Sequence, residues 1–132
     1  MTIVTFLWES AFSLEIAHKP ATRGDIAYVA GCLFRAASCL IQVLFALNGR
    51  YLINEKGSVQ AVDMLALRPS GFSQSVAAVL AAPGTGAEQL AASVQRFEQL
   101  VEEVQMIWVD RSGGEPLKLS RTPMSEGLGV ED

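Results

Sequence analysis

The longest uninterrupted apolar stretch, residues 25–48, constrains the fold more than any other part of the chain. It contains no proline and one glycine, Gly31, and Ala, Leu, Ile, Val and Phe dominate it. Such a stretch is typical of a helix that is buried on most sides. Thr22 and Asp25 form a T-x-x-D capping pattern, or Asp25 is itself the N-cap, and Gly49 follows as a C-terminal cap. The stretch therefore predicts a central helix around which the other elements pack.

The polar side chains of this helix follow a 4-3-4-3 spacing, which places them on one face: Tyr28, Cys32, Arg35, Cys39 and Gln42. Arg35 lies in the middle of that stripe. A buried guanidinium needs a carboxylate, carbonyl oxygens or a wet cavity. Two interpretations of Arg35 stay open at this point. In the first, its side chain reaches the surface or pairs with a carboxylate of the first helix. In the second, it lines a pocket between helices.

Composition and charge exclude several classes of function. The chain has 132 residues, with 10 Lys and Arg against 14 Asp and Glu, which gives a net charge of −4. This length predicts one domain with a single core, and the acidity argues against nucleic acid or anionic lipid as a partner. Arg35 at the centre of the apolar stretch would cost about 2.5–3.5 kcal/mol in a bilayer. The first ten residues lack the basic start of a secretory signal. We therefore expect a cytoplasmic protein that binds no nucleic acid and no membrane.

The other helices are predicted from apolar periodicity and from their breaks. Residues 3–18 form a first helix that Lys19-Pro20 ends, and shorter helices follow at 59–67 and 72–82. In the last helix, 87–109, apolar residues alternate at intervals of four and three, as the core face of a bundle or as a coiled-coil seam: Leu90, Val94, Phe97, Val101, Val104 and Trp108. We prefer the core face. The fold class is therefore all-α, an antiparallel up-and-down bundle of four to five helices over residues 1–110, with a disordered tail at 111–132.

Motifs that would define an enzyme are absent from the sequence. There is no Walker A, G-x-G-x-x-G, H-E-x-x-H or G-x-S-x-G pattern, no C-x-x-C pair, and one histidine, His18. Cys32 and Cys39 are about 10 Å apart along one helix, too far for a disulfide, and we interpret them as buried thiols in a reducing compartment. The residues therefore predict no catalytic site and no metal site, and no enzyme activity for the chain on its own.

Candidate binding residues come from the helix edges and from one polar turn. Glu15 stands between Leu14 and Ile16 at the edge of the first helix's apolar face, either solvated, or as the partner of Arg35, or as a base. A second candidate set lies between two glycines after the central helix, either as an ordinary loop or as a binding corner: Asn54, Glu55 and Lys56. With Tyr28 and Arg35, these residues are the predicted substrate-binding set.

Two sequence runs resemble the helical C-terminal domain of bacterial nucleotidyltransferase-domain proteins, which are related to the aminoglycoside nucleotidyltransferases. The first run is RGD-x-x-YVAGCLFRA at residues 23–36, and the second is ALN-x-RY-x-x-NEKG at residues 46–57. The resemblance implies a helical domain that covers a cleft and helps to bind the acceptor substrate. It also implies that Mg²⁺ and a nucleotide triphosphate are held by a separate α/β domain with a G-S…D-x-D pattern, and that Glu15 or Glu55 is a candidate base.

The chain departs from that pattern because it contains no D-x-D sequence. Mg²⁺ and the nucleotide triphosphate would therefore belong to a partner catalytic domain, and no cofactor is expected in this chain. The resemblance thus implies a non-catalytic substrate-binding or scaffolding module that acts with a catalytic domain supplied in trans or lost. The alternative is a helical interaction protein without a small-molecule substrate, which forms homodimers through its first helix or through the 90–108 face.

Overall fold

The computed structural model of the chain describes residues 2–52 and 56–119, and within these ranges every regular element is a helix. This confirms the predicted all-α bundle. In chain order the elements are α1 (Ile3–Glu15), α2 (His18–Thr22), α3 (Ile26–Leu47), α4 (Ser58–Ala61), a 3₁₀ turn (Val62–Met64), α5 (Phe72–Ala81) and α6 (Ala87–Ser112). The bundle's long members are α1, α3 and α6, and α5 covers one further side of α3.

Helix α3 is the buried centre of the bundle, as predicted. Asp25 is its N-cap and accepts a hydrogen bond from the Tyr28 backbone N–H at 3.2 Å. Gly49 follows the helix with φ +70°, a conformation that favours glycine because it has no Cβ. The fully buried side chains of α3 form a continuous row against α1 and α6: Val29, Leu33, Ala36, Leu40, Val43 and Leu44. The apolar composition of the stretch is therefore explained by helices that cover it.

The first predicted helix is divided in two. Helix α1 ends at Glu15, and α2 begins at His18, so Pro20 lies inside α2 rather than after a single helix. Proline is tolerated there because the backbone N–H groups of a helix's first turn have no partner within that helix. The Pro20 carbonyl oxygen then accepts hydrogen bonds from the backbone N–H groups of Arg23 and Asp25. The prediction that Lys19-Pro20 ends the helix was therefore wrong, and this segment instead turns the chain into α3.

The predicted helix at 59–67 is shorter than expected. Helix α4 and the 3₁₀ turn together end at Met64, and Leu65 is extended. Asn48 at the end of α3 accounts for the difference: its side-chain NH₂ donates to the Leu44 carbonyl at 2.7 Å and to the Leu67 carbonyl at 2.9 Å, while its Oδ1 accepts from the Leu67 N–H at 2.9 Å. The backbone polar groups of Leu67 are thus satisfied by a side chain rather than by a helix.

Helix α6 uses its apolar face for the core. Leu90, Val94, Phe97 and Val104 are fully buried, and Val101 is nearly so, which confirms the core-face interpretation of that helix. The helix continues past residue 109 to Ser112, and beyond it Leu117 and Leu119 pack against the core. The Leu117 N–H donates to Gln105 Oε1 at 2.8 Å. Residues 111–119 therefore differ from the predicted disordered tail, and residues 120–132 lie outside the described part of the chain.

We predict that the Asn48 side chain is required for the stability of the loop that follows the 3₁₀ turn. Replacing it by Ala removes three hydrogen bonds and strands partly buried backbone groups, which should lower the free energy of unfolding by about 1–3 kcal/mol. Asn48→Asp should be at least as destabilising, because it places a carboxylate oxygen against two carbonyls. Urea unfolding curves measure the free energy of unfolding of both variants, and Gln60→Ala, at an exposed position, is the control. Equal stability of Asn48→Ala and wild type would contradict this role.

Candidate functional site

An open groove of about 360 Å³ lies between the N-terminal half of α1, the middle of α3, α4 and α5. Its walls are apolar, with four neutral polar side chains among them: Ser38, Gln42, Ser58 and Gln60. Within the described ranges, no side chain that lines the groove carries a formal charge. Residues 53–55, which include the predicted Asn54 and Glu55, lie outside the described residues. The described lining is therefore suited to apolar surface and to uncharged hydrogen-bonding groups.

The local sequence explains how these elements form the groove. On α3, Phe34, Ser38 and Gln42 are spaced by four residues, so they line up along one side of the helix. Gly57, with φ +72°, turns the chain into α4 and brings Ser58 and its neighbours to the opposite wall. The third wall comes from three residues of α5: Val76, Ala77 and Leu80.

The polar stripe of α3 does not form a single site. Tyr28 and Arg35 are exposed, Cys32 is buried, and only Cys39 and Gln42 line the groove. Near Tyr28 and Arg35 the stripe thus lies in solvent beside α1, whereas near Cys39 and Gln42 it faces the groove.

Arg35 forms a surface ion pair. Its guanidinium donates to Glu9 Oε1 at 2.5 Å, and 63% of the Arg35 side chain remains exposed. This hydrogen bond and the nearby negative charge raise the pKa of Arg35. The partner proposed from the sequence, Glu15, was therefore wrong, because the packing of α1 on α3 brings the helix-1 carboxylate six residues earlier next to Arg35. Arg35 does not line the groove, and the interpretation that it reaches the surface and pairs with a first-helix carboxylate holds.

Glu15 belongs to a second cavity of about 520 Å³, between α1, α2, α6 and residues 117–119. This cavity is lined by several charged or titratable groups: Glu15, His18, Glu98, Glu102 and Lys118. His18 Nε2 lies 2.7 Å from Glu98 Oε2, so this histidine pairs with α6. In residues 2–52 and 56–119, no group of three or more His, Cys, Asp or Glu side chains is arranged to hold a metal ion.

The structure does not bring together those predicted substrate-binding residues that it describes. Glu15 lies in the second cavity, Tyr28 and Arg35 are on the outer surface, and Lys56 is exposed just before α4. The groove residues Ser38, Ser58 and Gln60 were missed. A four-residue spacing from Phe34 through Ser38 to Gln42 was the available signal for the α3 side, whereas the α4 side depends on long-range packing.

Comparison with protein-family models, curated proteins and solved structures returned no match to this chain. Among the described helices, α3 is long and apolar enough to cross a membrane, but 61% of its most apolar window is buried inside the bundle. The core helix of a soluble bundle has the same properties. The assignment of a function therefore rests on the residues and their geometry.

We predict that the Arg35–Glu9 pair contributes little to stability, because exposed ion pairs are weakened by water and salt. Arg35→Ala and Arg35→Met should melt at the same temperature in dilute protein, and both should shift Tm no more than the exposed control Arg111→Ala. The buried alternative would make the Ala variant clearly less stable than the Met variant, since only Ala leaves a cavity.

We predict that both cysteine thiols react slowly with iodoacetamide. Burial raises the pKa of Cys32 and Cys39, and the positive charge of Arg35 opposes that rise. Since the thiolate is the nucleophile, a raised pKa leaves less of it at neutral pH. The pH–rate curve of Cys39, followed by mass spectrometry, should lie to the alkaline side of that of a free cysteine peptide. Arg35→Gln should move it further alkaline, and Arg111→Gln should not; a curve that coincides with the peptide's would contradict the burial.

Proposed function

We propose that this chain is a non-catalytic helical module that binds a substrate or scaffolds a catalytic domain supplied by another chain, as the helical domains of nucleotidyltransferase-domain proteins do. One observation supports this proposal above the others. The two sequence runs that carry the resemblance, residues 23–36 and 46–57, meet at the groove: Phe34 comes from the first run, and Leu52 and Gly57 come from the second.

The chemistry of the groove is suited to holding and orienting a ligand. Ser38, Ser58 and the amides of Gln42 and Gln60 offer both donors and acceptors within an apolar wall. Such a wall fixes the position of a neutral polar group or of an uncharged part of a larger acceptor. The groove would therefore contribute binding and orientation, which is the share of catalysis that needs no reactive side chain.

The remaining chemistry would belong to the partner. A domain with the G-S…D-x-D pattern would hold Mg²⁺ and the nucleotide triphosphate, because paired carboxylates are the ligands that phosphate-bound Mg²⁺ takes in such sites. No D-x-D sequence occurs in this chain. In this proposal, the partner thus activates the nucleotide and the groove positions the acceptor.

We predict that filling the groove disrupts capture of the catalytic partner or of its substrate. Ala77 lines the groove on α5, and its neighbour Ala78 is also exposed but does not line it. Ala77→Trp should therefore block the groove, while Ala78→Trp adds the same bulk elsewhere and is the matched control. The tagged chain is used to capture proteins from its native source, which are then identified by mass spectrometry.

We expect the wild-type chain and Ala78→Trp to capture a protein that has the G-S…D-x-D pattern. The assembled pair should transfer nucleotide in the presence of Mg²⁺, and this activity should fall at least about tenfold with Ala77→Trp, equivalent to roughly 1.4 kcal/mol of lost transition-state stabilisation. Transfer by the pure chain alone, lost on mutation of one of its own acids, would overturn the proposal. Equal activity of the two tryptophan variants would show that the groove has no part in the proposed function.

A further inference from the structure

The outward side of α1 is apolar and has no partner within the described bundle. Trp8, Phe12 and Ile16 are spaced by four residues and expose 42%, 48% and 36% of their surface. On the inner side of the same helix, Leu7 and Leu14 are fully buried. A helix at the surface of a bundle normally presents polar residues to water, so an apolar row on both sides indicates a second contact.

The Glu9–Arg35 pair shows that this row continues onto α3. Ile16 follows Glu9 by seven residues, two helical turns, and Tyr28 precedes Arg35 by the same distance. Because α1 and α3 run antiparallel, these steps lead to the same end of the helix pair. Tyr28 exposes 48% of its surface there. We define the outer face as the exposed surface that these six residues form: Trp8, Glu9, Phe12, Ile16, Tyr28 and Arg35.

The outer face is large enough to form the apolar centre of an interface. Its four large side chains present roughly 350 Å² of mostly apolar surface, taking about 200 Å² for each full side chain. A stable complex buries about 800 Å² on each partner. The large residues would supply nearly half of this area, and the exposed residues Ala27 and Gly31 of α3 would add to it.

We propose that a second copy of this chain docks on the outer face to form a two-fold symmetric homodimer. The charges favour a copy of the same chain as the occupant: the face carries one acid and one base, so it is neutral and complementary to itself. In an antiparallel two-fold arrangement, Glu9 of each protomer faces the partner's Arg35 while the apolar residues pack between them. The chain as a whole has a net charge of −4, so a neutral face is where two copies meet with the least repulsion.

This proposal does not depend on the proposed function, because none of the six outer-face residues lines the groove. The failure of one can therefore be told from the failure of the other. The groove variant Ala77→Trp should leave the dimer intact, and the outer-face variants should leave the groove unaltered.

Sedimentation equilibrium of the purified full chain tests the dimer. Wild type should have twice the chain mass of 14.2 kDa. Phe12→Glu places a charge in the centre of the face and should raise the dissociation constant about 30-fold or more, as loss of an interface hot spot does. Met106 exposes 49% of its surface on α6, so Met106→Glu is the matched control and should remain dimeric. Circular dichroism melts show that each variant is folded.

A charge exchange tests the arrangement and does not require the loss of an apolar side chain. Arg35→Glu gives a face with two acids, and Glu9→Arg gives a face with two bases, so each variant alone should be monomeric. Mixed in equal amounts, the two should form a heterodimer of the wild-type mass. A wild type of 14.2 kDa at every concentration, an unaffected Phe12→Glu dimer, or a mixture that stays monomeric would overturn the proposal. So would a monomeric wild type that binds lipid vesicles or the catalytic domain through this face.

Discussion

The burial of α3 is the constraint on which the rest of the structure depends. An isolated helix with so many aliphatic side chains would expose most of them, and each buried Leu or Val contributes about 1.5–3 kcal/mol relative to its exposed state. Helices α1, α6 and α5 cover three sides of α3. The strip that they leave exposed contains Ala27, Gly31, Phe34 and Arg35, and beside it the partly buried Ser38 and Gln42 line the groove. Arg35 is tolerated at the middle of an apolar helix because it occupies this strip, where its guanidinium stays hydrated.

The parts of the fold that could be predicted from the sequence are those set by local chemistry. The bounds of α3 follow from the cap at Asp25 and the left-handed glycine at position 49, and the core face of α6 follows from its alternating apolar residues. The parts that could not be predicted depend on contacts between distant residues. The position of α1 along α3 determines whether Arg35 pairs with Glu9 or with Glu15. The hydrogen bonds between the Asn48 side chain and the Leu67 backbone determine where the helical segment after α4 ends.

The candidate site shows the same division. Periodicity correctly grouped the polar residues of α3 on one side of the helix, but one side of a helix of this length passes through more than one environment. Near Tyr28 and Arg35 that side lies in solvent beside α1, and near Cys39 and Gln42 it faces α4 and α5 across the groove. The walls that α4 and α5 contribute could not be predicted from the periodicity of α3, because their position depends on the turn at Gly57 and on the packing of α5.

Helix α1 connects the two proposed surfaces. Its inner side completes the core around α3, Phe6 near its start lines the groove, and its outer side carries the apolar row from Trp8 to Ile16. A dimer on the outer face would leave both grooves open, since the two surfaces share helices but no residues. It would also shield apolar surface that the monomer exposes, so that dimer formation and folding would reinforce one another by mass action. Under the two proposals, a second chain would cover the apolar outer side of α1, and each groove would remain available to a catalytic partner.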